Sequence, residues 1–370
     1  MRPSKLFLAA LLLAGCASEA AGPVLPPSAV LWGSGGPSMR SGATSLEASL
    51  VLLRTATVYY ALYPTPQPGL DAQAVRLEAT AGGGGSVAAG TLNVGVGGVG
   101  DTIPLALSGL NSGAHYDLYL TALPTAADPA PTDIDQVHAL TTTLAQLQPP
   151  MSLQSASLAA PIGYYAYLPE DHYLHPTQRF PLLIFLHGAG EKGNGTTELS
   201  RVLVHGPPKL IQQGQTLPFI VISPQLPASQ GGWPVALVDE LVARARLDYR
   251  VDTTRVYLTG LSMGGYGTWA YAEARPSVVA AVVPIAGAGN TGQACQMREV
   301  PVWAFHGDAD GTVNVSGSID MVNALNACLP APSVTPLLTI YPGVGHDSWT
   351  RTYDGSAGHN VFAWLLTHHR

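Results

Sequence analysis

The chain is poor in charge. Asp, Glu, Lys and Arg make up 11% of its 370 residues, against 46% hydrophobic residues, so a sizeable core is expected. The 17 basic residues are outnumbered by 24 acidic ones, and the net charge of −7 leaves no basic footprint for nucleic acid. No glycine-rich loop is followed by a lysine in the spacing that cradles phosphates. No thiol spacing suggests zinc, and His368-His369 is a pair without companions. A metal or other cofactor is therefore not expected. Long apolar runs are also missing; Leu6 to Leu13 is too short to span a bilayer as a mature helix.

What is present begins with an export signal. Arg2 and Lys5 form a positive region ahead of that apolar run, which ends in Leu13-Ala14-Gly15-Cys16. This tetrapeptide resembles the lipobox of bacterial lipoproteins, in which the cysteine is lipidated and becomes the mature N-terminus. The resemblance implies residues 1–16 as signal peptide and Cys16 as the lipidation site. With Ala17 next, it also implies an outer-membrane anchor, periplasmic or cell-surface, with possible release from the cell. A plain secretory signal with an incidental cysteine is the alternative. The only membrane contact expected is through this lipid.

Residues 17–40, rich in Ala, Gly, Pro and Ser, read as a flexible tether. From residue 41 to 145 the pattern is that of an all-β sandwich, with strand-like runs at Ser45–Leu50, Ala56–Tyr63, Ala74–Ala79, Val87–Val94 and Asp101–Leu107. Gly109 to Ala122 resembles the signature of fibronectin type III domains, with Leu110 and Tyr116 at its two core positions. His115 and His138 read as surface residues. Residues 146–150, Gln-Leu-Gln-Pro-Pro, read as a linker. From residue 151 to 370 strands and helices alternate, as in a mostly parallel sheet covered by helices on both faces. Leu182–Leu186 is a continuous apolar run, the pattern of a strand buried on both sides.

The chain is organised around Gly260-Leu261-Ser262-Met263-Gly264-Gly265. A β-branched and aromatic run, Arg255–Thr259, precedes it, and a helix-like run ending before Pro276 follows. Strand, sharp turn and helix make G-x-S-x-G a nucleophile elbow, in which glycines let strand and helix approach closely around an exposed serine. A serine needs a base and an orienting carboxylate, in the order Ser, Asp or Glu, His for this architecture. Val302–Phe305 leads into His306-Gly307-Asp308-Ala309-Asp310, and Leu338–Tyr341 leads to Gly345-His346-Asp347.

These pieces, with His187-Gly188-Ala189-Gly190-Glu191-Lys192-Gly193, resemble the α/β-hydrolase fold. The likeness is to its branch of feruloyl esterases, polyhydroxyalkanoate depolymerase-like enzymes and acyl-protein-thioesterase-like carboxylesterases, and extends from about residue 160 to the end of the chain. It implies Ser262 as nucleophile, His346 as base and Asp310 as acid. Asp308 is the competing carboxylate, and the family's spacing favours Asp310. The N–H groups of Met263 and, by the resemblance, Ala189 are the expected oxyanion hole. Glu191 is expected to brace its loop, His187 and His306 to be hydrogen-bonding loop residues, and Asp347 to be solvated. Trp233, Trp269 and Trp349 are candidates for lining an acyl pocket, with plain core as the alternative for each; Trp349, beside the His346 loop, is favoured, and Trp349 and Trp233 are taken as the candidate substrate-binding residues.

The expected function is ester hydrolysis on short acyl, aryl or polymer-borne esters. A serine peptidase on the same triad remains open, as does a surface-binding protein with an inert hydrolase domain. Finally, Cys295 precedes the Val302–Phe305 strand and Cys328 ends the helix after it, so both fall at the same sheet edge. A disulfide between them is expected, with two free buried thiols as the alternative.

Overall fold

A computed structural model describes residues 31–34, 36–82, 84–125, 133 and 136–370. The signal peptide, Cys16 and residues 17–30 lie outside the described residues. The chain divides into two compact units, the second beginning at Leu147.

The first unit contains β1 (Ser38–Ser41), β2 (Leu46–Val51), β3 (Ala56–Tyr63), α1 (Ala72–Ala81), β4 (Ala88–Val94), β5 (Thr102–Leu107), β6 (His115–Pro124) and β7 (His138–Thr143). They form two antiparallel sheets, ordered β1-β2-β5 and β4-β3-β6-β7. In β2 the residues alternate inward and outward, and Leu46, Ala48 and Leu50 meet Val58, Leu62, Tyr116, Leu118 and Leu120 in one core.

Three expectations change here. Ala74–Ala79, read as a strand, lies within α1. Its apolar–polar alternation suits a strand, but Ala, Leu, Arg and Glu favour a helix. Asp71 accepts the Ala74 N–H at 2.7 Å as N-cap, and Val75 and Glu78 turn the same face inward. The stretch read as tether contains ordered core: Leu31 and Trp32 are buried, and their N–H groups donate to the Asp133 carboxylate at 2.7 and 3.1 Å. His138 packs edge-on to Trp32 at 4.6 Å instead of facing solvent, and burial pushes its imidazole below the usual range.

The second unit contains β8 (Pro150–Ser155), β9 (Ala160–Tyr167), α2 (Glu170–Leu174), β10 (Phe180–Leu186), α3 (Gly206–Gln212), β11 (Ile220–Pro224), α4 (Val235–Asp248) and β12 (Val251–Leu261). There follow α5 (Met263–Ala274), β13 (Ala281–Ile285), β14 (Trp303–Gly307), α6 (Ser316–Asn326), β15 (Leu337–Tyr341), α7 (Trp349–Tyr353) and α8 (Val361–Leu366). Its sheet has the order β15-β14-β13-β12-β10-β11-β9-β8; β9 runs antiparallel to both its neighbours, β11 and β8, and the pairings from β11 through β15 are parallel. The expected linker is partly structural. Leu147 packs on the core, Gln148 Nε2 donates to Pro208 O at 2.9 Å, and Pro150 opens the edge strand β8, where its missing N–H costs nothing.

β10 shows how the layers arise. All seven of its residues are buried. Leu182, Ile184 and Leu186 belong to the core that also takes in residues of α4, α5 and α6 on one face of the sheet, while Leu183 and Phe185 belong to the one that takes in residues of α3, α7 and α8 on the other. Cys295 and Cys328 are joined by a disulfide across the βα unit that contains β14 and α6.

Candidate active site

The site is built on the C-terminal ends of β10, β12, β14 and β15. β12 ends at Leu261, and α5 starts at Met263 with no linker beyond Ser262. Ser262 therefore takes φ 52° and ψ −118°, a conformation that side chains rarely adopt. The strained residue is held at both ends: its N–H donates to Ile285 O at 2.9 Å, and its carbonyl accepts from Tyr266 N–H at 3.0 Å. A Cβ on Gly260 would collide with Gly264 O and Leu186 O, and one on Gly264 would collide with Leu186 O. Glycine at both positions is what lets helix and strand cross this closely.

The structure brings Ser262, His346 and Asp310 together. Ser262 Oγ lies 2.9 Å from His346 Nε2, and His346 Nδ1 lies 2.7 Å from Asp310 Oδ2. An ionised carboxylate only accepts, so Nδ1 carries the proton and Nε2 is free to accept from the serine hydroxyl. The Asp310 side chain is fully shielded, whereas His346 keeps about a quarter of its side-chain surface open (24%). Burial alone would raise the Asp310 carboxyl. Hydrogen bonds from His346 and from the Val313 and Thr312 N–H groups outweigh it and hold the carboxyl below the usual range.

The rival carboxylate has another task. Asp308 Oδ1 accepts the Gly343 N–H at 2.6 Å, while Asp308 N–H reaches Tyr341 O at 3.2 Å and Ala309 N–H reaches Val344 O at 3.0 Å. Asp308 thus stitches the loop carrying Asp310 to the loop carrying His346. Asp347 is not simply solvated: its carboxylate takes the Thr350 N–H at 3.0 Å and hydroxyl at 2.9 Å, capping the first turn of α7.

Ala189 and Met263, the expected oxyanion donors, line one cleft with Ser262. Both open a helical turn, where an N–H has no acceptor within its own helix. The cleft measures about 510 Å³ and is also bounded by Lys192, Gly231, Gly232, Trp233, Tyr266, Gly267 and Ala270. The Trp233 Nε1 donates to His187 O at 3.0 Å. Trp349 does not line the cleft. As the first residue of α7 it turns into the core and packs edge-on to the His346 ring at 5.0 Å. Trp269 is wholly buried core.

His187 is fully buried. It bonds Gly188 O through Nδ1 at 2.6 Å and accepts the Leu226 N–H through Nε2 at 2.9 Å; burial pushes it down to about 4, so it stays neutral. Glu191, 8% exposed, lies 3.9 Å from His187 and 3.8 Å from His205. Two contributors were not singled out in the sequence. Tyr266 shares a helix face with Ser262 and Ala270 at i+4 spacing, which the elbow's helix would have revealed. Gln225 carried no such signal. Its amide donates to Glu191 O at 2.9 Å and Glu198 O at 2.7 Å and accepts Gly195 N–H at 2.8 Å, binding the loop that carries Ala189 to the end of β11.

Sheet order, elbow and hydrogen-bonded Ser-His-Asp series together have the arrangement of the α/β-hydrolase fold. Residues 232–361 match the dienelactone hydrolase family. The chain is similar to feruloyl esterase D of Neurospora crassa, 30% identical over 142 residues, covering 38% of this chain and 47% of that one. It is also similar to a bifunctional acetylxylan esterase/xylanase of Neocallimastix patriciarum, 26% identical over 168 residues, covering 44% of this chain and 24% of that one. The chain spans less than half the length of these curated relatives. Among solved structures, a thermostable esterase superposes with a TM-score of 0.50 at 18% identity, covering 88% of this chain and 96% of that chain, a likeness of fold.

Proposed function

We propose that this protein is a serine carboxylesterase acting through an acyl-enzyme. The observation that carries this is the series Ser262 Oγ, His346, Asp310 at the edge of an open cleft. In this reading His346 Nε2 takes the hydroxyl proton as Ser262 Oγ adds to the ester carbonyl, and Asp310 stabilises the imidazolium formed. The carbonyl oxygen becomes an oxyanion received by the Ala189 and Met263 N–H groups. His346 then returns the proton to the leaving alcohol, and water repeats the sequence to release the acid.

The substrates proposed are short acyl, aryl or polymer-borne esters. The open cleft with Trp233 and Tyr266 on its walls, and the feruloyl and acetylxylan esterases among the relatives, support this class. A fluorophosphonate probe and a panel of p-nitrophenyl, feruloyl, acetyl-sugar and polyester substrates test it. Wild type should label and turn over, while Ser262→Ala and His346→Ala should lose activity by about a thousandfold or more. An unlabelled wild type, inert on every ester, would sink the reading.

We propose further that the protein is exported and anchored in the outer membrane through lipid on Cys16. The sequence around Cys16 supports it, as does the Cys295–Cys328 disulfide, which suits an oxidising compartment. Among the described residues no helix is long and apolar enough to cross a membrane. Cys16→Ser should move the protein from the membrane to the soluble fraction; unchanged membrane retention would count against the anchor. The first unit we read as fibronectin type III-like. Its sheet orders and the Tyr116 hydroxyl accepting the Asn111 N–H at 3.0 Å support this, and an experimental structure pairing β4 with the β1-β2-β5 sheet would overturn it.

A further inference from the structure

His306, the last residue but one of β14, is a wholly buried polar side chain beside Asp310. Its Nε2 lies 3.0 Å from Val313 O and 3.3 Å from Asp310 Oδ2. Both of these atoms only accept, so Nε2 carries a proton. Its Nδ1 lies 2.8 Å from Ser318 Oγ on α6, and that hydroxyl in turn sits 3.1 Å from Gly287 O in the loop after β13. Asp310 Oδ2 therefore has two imidazoles beside it, His346 Nδ1 at 2.7 Å and His306 Nε2 at 3.3 Å. Asp310 Oδ1 is taken by Thr312 N–H at 2.8 Å and Val313 N–H at 2.9 Å. Val313 thus donates to Asp310 through its N–H and accepts from His306 through its carbonyl. The turn that aims the carboxylate is closed through the His306 ring.

We propose that His306 is a positioning residue for Asp310: its Nε2–H, held by Val313 O, fixes the carboxylate oxygen that faces His346 and draws off part of the negative charge presented to it. The proposal deepens the esterase reading and rests on it for its kinetic tests. The hydrogen bond proper goes to Val313 O, and the longer contact to Oδ2 acts as a dipole beside a charge. The Ser318 hydroxyl has one proton and two acceptors in reach, His306 Nδ1 at 2.8 Å and Gly287 O at 3.1 Å; given to Nδ1, it leaves the ring neutral and protonated at Nε2, the tautomer that Asp310 and Val313 both require. The titratable groups facing the ring are Asp310 from its own loop and, through Asp310, His346 from the loop after β15. Ser318 Oγ from α6 is its remaining side-chain partner.

Three variants and one spectrum test this on the full chain. His306→Leu removes the N–H. His306→Gln restores an N–H at nearly the same distance from the backbone. Ser318→Ala frees the tautomer. For His306→Leu, kcat on p-nitrophenyl acetate should fall roughly ten- to a hundredfold with KM within about threefold, as when the support of a charged group is lost. The acidic limb of its kcat/KM profile should move to higher pH, because Oδ2 then turns more charge on His346. His306→Gln should recover most of kcat and the original limb, and Ser318→Ala should fall between. Equal losses in the Leu and Gln variants with an unmoved limb would mean the ring is only a structural filler, and would overturn the proposal.

A ¹⁵N-histidine NMR spectrum of wild type decides the point without turnover or variant folding. His306 should appear neutral and protonated at Nε2. An Nδ1-protonated ring would overturn the proposal whatever the kinetics show. Loss of ester turnover and of fluorophosphonate labelling in wild type would instead condemn the esterase reading, leaving the spectrum to judge His306.

Discussion

Replacing Asp310 by Asn separates the two carboxylates of one loop and tests the direction of the proton relay. In the native site Asp310 faces donors on every side. Thr312 and Val313 N–H groups point at Oδ1, and His346 Nδ1 and His306 Nε2 lie near Oδ2. An asparagine has one acceptor and one donor end. If its oxygen stays with the two backbone N–H groups, its NH₂ stands where Oδ2 was and confronts His346 Nδ1–H. His346 relieves this by moving its proton to Nε2, which then points at Ser262 Oγ and has no lone pair to take the serine proton. Such a tautomer error in a Ser-His-Asp series lowers kcat by about 10⁴, or about 5.5 kcal/mol of barrier at about 1.4 kcal/mol per decade. Asp308→Asn differs: an amide oxygen still accepts the Gly343 N–H, so the stitch between loops survives and the loss should stay within about tenfold. The assay is kcat/KM on p-nitrophenyl acetate, with thermal unfolding to show that both variants fold. An Asp310→Asn enzyme within tenfold of wild type, or a larger loss in Asp308→Asn, would refute the reasoning.

Three further outcomes are expected. Removing the disulfide by Cys295→Ser with Cys328→Ser frees a loop with a sequence separation of 33, which by chain entropy should cost about 4 kcal/mol; an unchanged denaturation midpoint would show that the bridge does not constrain the unfolded chain as argued. Gln225→Leu strands three backbone groups, Glu191 O buried and Glu198 O and Gly195 N–H part-buried, so it should destabilise the second unit by about 2 kcal/mol and lower kcat/KM through the Ala189 loop; full activity would release Gln225 from that role. Burial holds His187 at about 4, below its unfolded value near 6.5, so the unfolded chain binds the extra proton first. The stability at stake is fully present above about pH 6.5 and is lost toward pH 4, by about 3 kcal/mol at about 1.4 kcal/mol per unit. Urea titrations across that range should show a shallower pH slope for His187→Gln, and an identical slope would remove His187 as the cause.

Local chemistry made several elements readable from the sequence. The Leu182–Leu186 run could hardly be anything but a strand covered on both faces, because each of its side chains needs an apolar neighbour. Gly260, Ser262 and Gly264 between a β-branched run and a helix-forming run specify a sharp turn, since only glycine tolerates that crossing. The order of Ser262, Asp310 and His346, each after a strand, was legible for the same reason. Periodicity failed where two periods competed. Ala74–Ala79 alternates like a strand, yet the Asp71 cap and the preferences of its residues make it helix. Other features were decided only by tertiary structure, because they depend on residues far apart in the chain. Trp349 turns away from the cleft to pack on His346, and Trp32 finds His138 more than a hundred residues on. Gln225 meets a loop 30 residues upstream, and Asp308 bonds Gly343 across two strands. A spacing rule can favour one carboxylate over its neighbour. Only the packed sheet, by fixing where β14 and β15 end relative to one another, determines that Asp310 Oδ2 stands 2.7 Å from His346 while Asp308 faces a backbone amide.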